Sequence, residues 1–388
     1  MNKNKYVIIG SSAVAIGAIN RLLRVEPEAD VTVISKEKEL PYNKCFLVDK
    51  LSNQKVEAEL YTKPANYFED KGIQLVLGRE VVKIDRAIQQ VLLDDGSAID
   101  YNKLLLGMGS SPYRLQLEGC DAEGVFYFHT MKDLAILENY ITKVGAKRAV
   151  IVGAGFTGLE CADALHALGL QIAVVERGSQ LLPRHLDEGA SNFVTNKMKQ
   201  KGVDLRFTSE VDSIQIRENK AIGVKLSCGS VLPADIIILA AGVRPNVGLA
   251  KMADLSLEDG YLKVNQYLQT SDPDIFAGGD LIKIKDLLTG KLVPSCMWKD
   301  AMLQGSYAGL NMASNKIEAK KAYSGALMVA ETNIFGLDIV SCGSFEAGNL
   351  NQSSSFYKKV DQENGFILVG CRADFISLRR QLATQIAL

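Results

Sequence analysis

The chain is poor in the features that mark several protein classes. Its seven cysteines, at 45, 120, 161, 228, 296, 342 and 371, include no CxxC pair. Neither a CxxC redox motif nor a cysteine zinc site is therefore written into it. Three histidines, scattered along the chain, predict no metal centre. No run of about 18 apolar residues occurs, so no transmembrane helix is expected. The first apolar run, YVIIG, is too short for a secretory signal core. Neither sign of charge dominates: 44 Lys and Arg against 45 Asp and Glu leave a formal net charge of -1. That balance offers no footprint for nucleic acid or an anionic membrane. An odd set of unpatterned cysteines fits free, mostly buried thiols in a reducing compartment, so a cytoplasmic soluble protein is expected.

What the chain does have is a core-forming composition and a repeated motif. With 388 residues, 47% of them hydrophobic, it is long enough for two or three domains. KYVIIGSSAVAIGAINRLL opens it, and VTVIS follows; RAVIVGAGFTGLECADALHALG and QIAVVERG repeat the pattern from 148 to 178. Each unit reads as strand, small-residue turn, helix and strand, the form of a dinucleotide-binding βαβ. An acid-rich stretch, ELYTKPANYFEDKG, predicts helix, and the following region predicts strands with a hairpin at DDGS. VDSIQIRENKAIGVKLSCGSVLPADIIILAAGVRPN predicts a matching set of strands, and WKDAMLQGSYAGLNMA a helix. The last 70 or so residues read as a small α+β tail.

The second loop is a complete GxGxxG: Gly153, Gly155 and Gly158. The first glycine permits a sharp turn, the second lets the backbone approach a pyrophosphate, and the third lets helix and strand pack closely. The helix start supplies N–H donors and partial positive charge. Glu176 ends the next strand, where a carboxylate can hold a ribose 2′-hydroxyl and repel a 2′-phosphate. NADH is thereby favoured over NADPH, although Arg177 beside it pulls the other way. The alternative is a packing turn with no ligand. The first loop is a degenerate copy, GSSAVA: Gly10 remains, while Ser12 and Ala15 stand where glycines are expected. Ser35 ends the following strand and Glu37 lies two residues on.

These residues, with the strand exit LLLGMGSSP, AAGVRPN, DIFAGGDL and W-x-x-A-x-x-Q-G-x-x-A-x-x-N-M, resemble the two-dinucleotide flavoproteins of the pyridine nucleotide-disulfide oxidoreductase class. The likeness is greatest to rubredoxin and ferredoxin reductases, nitrite reductase flavin domains and coenzyme A disulfide reductases. The resemblance implies an α/β chain with two Rossmann-like domains, as in glutathione reductase, and a short C-terminal α+β domain. It places an FAD-binding domain at 1–112 and 245–318, an NAD(P)H-binding domain at 113–244, and the tail at 319–388. FAD contacts would fall on Gly10, Ser12, Ala13, Ser35, Lys44, Val81, Gly109 and Asp280. Asp280 would accept a ribityl hydroxyl, or serve as a helix N-cap. Trp298 would stand at the flavin edge, or in the core. NAD(P)H would use Gly153, Gly155, Gly158, Glu176 and Gly242. Glu160 would lie near the nicotinamide; the plain alternative is a solvated helix acid. Met108 and His129 depart from the family's threonine and arginine.

Cys45 follows Ser35 by ten residues, the spacing of the single redox cysteine in coenzyme A disulfide reductases and NADH peroxidases. In rubredoxin reductases a proline fills that place; PYNKCFL combines both patterns. A thiol beside Lys44 and a flavin could ionise and attack a disulfide or persulfide; otherwise Cys45 is a small apolar substitute. Ala13 stands where the peroxidases resembling this chain carry histidine, which disfavours peroxide reduction. The expected function is hydride transfer from NADH to FAD, then electrons to a small rubredoxin- or ferredoxin-like protein. The alternatives are a Cys45-dependent disulfide or persulfide reductase and a non-catalytic flavin-binding protein. A monomer or homodimer is expected.

Overall fold

The computed structural model describes residues 4–314, 317–343, 348–361 and 363–386. The chain divides into two compact units. One comprises 1–45, 56–111 and 244–326; the other comprises 46–55, 112–243 and 327–388.

The first unit is built on a five-stranded parallel sheet. Its order is Ile275–Ala277, Lys103–Leu106, Lys5–Ile9, Asp30–Ser35 and Gln74–Leu77. The central strands are continuous apolar runs because both faces are covered: Val7, Ile8, Val33, Leu104 and Leu105 are at most 1% exposed. The helix Ala13–Val25 packs along the helix Trp298–Ala313. A Cβ at Gly17 would lie 2.0 Å from the Met302 carbonyl oxygen, and one at Gly305 would lie 2.0 Å from that of Val14. The two backbones touch there, which is why the second helix carries glycines in its interior. A side sheet of Val81–Asp85, Gln90–Leu93 and Ala98–Asp100 turns at DDGS as the sequence predicts. The acid-rich stretch does not form one helix. It is split into the 3-10 turn Glu57–Leu60 and the short helix Tyr67–Asp70, because Pro64 lies between them and cannot continue a helix from upstream.

The second unit repeats the design. Its parallel sheet runs Asp204–Arg206, Gln171–Val175, Arg148–Val152, Ile236–Leu239 and Val125–Phe126. An antiparallel sheet of Val211–Arg217, Lys220–Leu226 and Val231–Pro233 shares a core with it. The tail forms an antiparallel sheet in the order Val329–Ile334, Leu337–Gly343, Gly365–Val369, Tyr357–Asp361 and Asn349–Gln352, followed by the helix Phe375–Ile386. That sheet is tied into the same unit. The Tyr357 hydroxyl donates to Asp187 at 3.0 Å, Lys359 pairs with Asp187 at 2.9 Å, and Lys201 donates to the Phe335 carbonyl at 2.6 Å. The segment Phe46–Lys55 also belongs to this unit, its helix Leu47–Leu51 packing on the helices Met131–Val144 and Phe156–Ala167. Among the described residues no helix is long and apolar enough to cross a membrane.

Candidate functional site

The second unit holds the complete glycine loop. After the strand Arg148–Val152, Gly153 turns with φ +111°, and a Cβ on it would lie 2.3 Å from the Ala240 carbonyl oxygen. A Cβ at Gly158 would meet the Gly153 carbonyl oxygen at 2.1 Å, so the helix Phe156–Ala167 starts against the turn. Gly155 differs: it is the extended N-cap of that helix, and its Cβ position faces open space. No side chain caps the helix start, leaving first-turn N–H groups for an anion. By contrast Thr130 and Asp187 cap their helices with their own side chains. Glu176 bridges the site: Oε2 accepts from the Ala154 N–H at 2.8 Å and Oε1 from Gly178 at 2.7 Å. The chain then folds back, Leu182 donating its N–H to the Ala154 carbonyl at 3.0 Å. The His185 ring lies 4.6 Å from that of Phe156. Burial depresses the His185 pKa to about 4, so the imidazole is neutral at physiological pH. Gly242, left-handed at φ +98°, also opens onto space and accepts from the Tyr113 N–H.

The first unit holds the degenerate loop. Gly10 has φ +102°, and its Cβ would lie 2.2 Å from the Gly107 carbonyl oxygen; only glycine fits. Ser12 N-caps the helix Ala13–Val25 without a side-chain bond, and Ala13 is buried. Buried Ser35 accepts from the Ser11 hydroxyl at 3.1 Å and from the Glu37 N–H at 3.2 Å. Glu37 takes the Tyr42 hydroxyl and, at 2.8 Å, the Lys44 ammonium. Backbone bonds from Gly78 and Arg79 to Glu37 and Ser35 bring up the strand on which Val81 begins, buried. Gly109, left-handed with free space, precedes Ser110, whose hydroxyl donates to Asp280 at 2.5 Å. Asp280 lies inside the 3-10 turn Gly279–Leu281, which Gly278 caps, so it is not a helix N-cap. Gln304 fixes this turn by accepting the Gly279 N–H at 2.7 Å, while its own buried Nε2 has no hydrogen-bond partner among the described residues. Trp298 opens its helix half-buried, outside the core.

Glu160 is not a solvated helix acid. It is part-buried and accepts the Thr332 hydroxyl at 2.8 Å. Burial pushes its carboxyl pKa upward, the Thr332 bond opposes this, and Asp49 adds to the rise. Asp49, on the helix Leu47–Leu51, is also pushed up by burial, against the pull of Lys55. Cys45 is exposed in the 3-10 turn Lys44–Phe46, its N–H donating to Asn43.

Two glycine turns, each opening a helix that no side chain caps, agree with a family model matching residues 4–305, that of the pyridine nucleotide-disulphide oxidoreductases. The chain belongs to this family. Membership implies FAD and NAD(P)H as cofactors and an NAD(P)H-dependent flavin oxidoreductase as the class of enzyme. The residues fit both groups, since glycines stand where backbone contact leaves no room for a Cβ, and open space lies over Gly155 and Gly109.

A similar protein is the assimilatory nitrate reductase electron transfer subunit of Bacillus subtilis (strain 168), 29% identical over 387 residues. The match covers 96% of this chain and 48% of that one, so the chain spans about half that relative's length. Among solved structures, a NAD-dependent persulfide reductase from A. fulgidus superposes with TM-score 0.89 at 25% identity, covering 98% of this chain and 77% of its own. The ferredoxin reductase for the CYP199A2 system from Rhodopseudomonas palustris gives TM-score 0.88 at 25% identity, with 97% and 94% covered.

Thr332 and Asp49 carry no motif signal of their own and act on Glu160 from far along the chain. Ser110 and Gln304 fall inside LLLGMGSSP and the W-x-x-A-x-x-Q-G pattern, but their partners Asp280 and Gly279 are not legible there. Glu37 stood out only as a carboxylate displaced from the strand end.

Proposed function

We propose that this protein is a FAD-dependent NADH oxidoreductase that passes electrons to a small redox protein of rubredoxin or ferredoxin type. The observation that carries the reading is the second glycine loop, with Gly155 facing open space and Glu176 bonded across the turn. Gly153, Gly155 and Gly158 bring the backbone to the pyrophosphate, and the Phe156–Ala167 helix start donates to it. Glu176 offers a carboxylate to the ribose 2′-hydroxyl and repels a 2′-phosphate, so NADH is preferred. In the first unit, Gly10 and the start of the Ala13–Val25 helix receive the FAD pyrophosphate, and Ser35, Lys44, Val81 and Gly109 line the remainder. Asp280, oriented by Ser110, accepts a ribityl hydroxyl. Trp298 lies at the flavin's edge and Gly242 on the nucleotide side. FAD supplies the two-electron to one-electron conversion; the chain supplies binding and orientation. The domain division foreseen from sequence, the cytoplasmic setting, and a monomer or homodimer belong to the same reading.

A second reading rests on the exposure of Cys45 beside Lys44 and on the likeness to a persulfide reductase. Here the Cys45 thiolate attacks a low-molecular-weight disulfide or persulfide, forming a disulfide to Cys45 as the other sulfur leaves as thiolate or hydrosulfide; bound FAD would supply the two electrons that restore the thiol. Turnover of NADH with rubredoxin or ferredoxin, and separately with coenzyme A disulfide, is measured before and after thiol alkylation. The leading reading expects turnover with the protein acceptor, unchanged by alkylation. Activity confined to the disulfide and lost on alkylation replaces it with the second.

A further inference from the structure

The segment AAGVRPN ends on Asn246, directly after the strand Val243–Pro245. Asn246 belongs to the first unit, as does the exit turn at 108–111. The backbone N–H and both side-chain polar atoms of Asn246 go to that one turn. Nδ2 donates to the Met108 carbonyl at 2.9 Å, the N–H donates to the Gly109 carbonyl at 2.9 Å, and Oδ1 accepts from the Ser111 hydroxyl at 2.8 Å. A carbonyl only accepts, so Nδ2 is the atom that must face Met108. Glycine leaves the peptide planes on either side of it free to rotate. The Met108 and Gly109 carbonyls belong to the two planes that flank Gly109, and Asn246 bonds both of them. A trans peptide carries its C=O and the following N–H on opposite sides. With the Met108 carbonyl tied to Asn246, the Gly109 N–H points the other way, and no described residue accepts it. Gly109 is left-handed at φ +61°, with open space at its Cβ position. The next residue, Ser110, is buried, and its hydroxyl donates to Asp280 at 2.5 Å.

We propose that Asn246 is a positioning residue for the flavin: it fixes the planes around Gly109 so that the Gly109 N–H faces an acceptor atom of bound FAD, and it keeps Ser110 set against Asp280. The proposal rests on the reading that the first glycine turn and Asp280 hold FAD. Asn246 itself touches the turn from behind and acts only through it. Asp280 then has one oxygen, Oδ2, taken by Ser110, which leaves Oδ1 for a ribityl hydroxyl.

The test is FAD affinity, read from the fluorescence of flavin freed as the purified holoenzyme is diluted, with far-UV circular dichroism as the control for folding. Asn246→Ala removes two of the three bonds and is expected to weaken FAD about five- to tenfold. Asn246→Asp at pH 8 keeps the shape and the acceptor but has no donor for the Met108 carbonyl, so it is expected to do no better than alanine. A double-mutant cycle with Asp280→Asn is expected to show coupling: the loss of the Asp280 carboxylate costs at least about twofold less in the Asn246→Ala background. Ser111→Ala, which removes only the hydroxyl that Asn246 accepts, is expected to weaken FAD less and in the same direction, and it takes the place of Asn246→Ala in the cycle if that variant does not fold. Native FAD affinity in the folded variants, restoration of native affinity by Asn246→Asp, or independent effects in the cycle overturns the role of Asn246 and leaves the flavin site standing. A native protein that takes up no FAD overturns the flavin reading and the proposal with it.

Discussion

Placing a methyl group on Gly155 separates the folding role of the second glycine loop from its binding role. Gly155 has φ -81° and ψ -178°, a conformation alanine adopts freely, and its Cβ would meet nothing within 4 Å. Gly155→Ala is therefore expected to change stability by no more than about 0.5 kcal/mol. The methyl instead fills the space in which a pyrophosphate must approach the backbone. Losing one charge-assisted N–H bond costs about 1.5–3 kcal/mol, or roughly tenfold to more than a hundredfold in affinity. Gly158→Ala is the contrast. Its Cβ would lie 2.1 Å from the Gly153 carbonyl oxygen, and overpacking against backbone costs about 1–3 kcal/mol of stability. The assay pairs a thermal melt with NAD+ binding, and flavin content serves as the control because the first glycine loop, the proposed FAD site, lies in the other unit. Unchanged NAD+ affinity in a fully folded Gly155→Ala protein would refute the assignment of this loop.

Four further outcomes are expected. Gly10→Ala, which combines φ +102° with a Cβ 2.2 Å from a carbonyl oxygen, should yield little flavin per protein, read from the absorption spectrum. Glu176→Gln weakens the bonds from Ala154 and Gly178 and should narrow the preference for NADH over NADPH about tenfold or more, read from the ratio of kcat/KM values. Cys45→Ser should leave turnover with a protein acceptor within about twofold of native, because the thiol takes no part in the leading reading. His185, depressed to about 4 by burial, binds a proton more readily unfolded than folded. Its contribution is present above the ordinary histidine pKa of about 6.5 and is lost as pH falls from there towards about 4. Urea melts should therefore show a loss of about 1–3 kcal/mol over that window, smaller in His185→Gln.

Much of the architecture was legible because its signals are local. The loops at Gly10 and Gly153 sit between apolar strands and helices, and the helix Trp298–Ala313 matches its sequence pattern from end to end. The acid-rich stretch was misread because helix-forming residues surround Pro64, and one proline outweighs them. The environments of Glu160 and Asp280 were hidden for a different reason. Thr332 lies 172 residues from Glu160, and Ser110 lies 170 from Asp280; a single sequence carries no sign of such pairings. The tail likewise looked self-contained, since nothing local shows Tyr357 and Lys359 meeting Asp187.

The central claim is that two glycine turns hold two different nucleotides for hydride transfer. Anaerobic titration of the purified yellow protein with NADH tests it most directly. The account predicts that the flavin band bleaches in proportion to added NADH, one equivalent per FAD. A protein that binds FAD but keeps its colour under excess NADH, or that takes up no FAD at all, would contradict it.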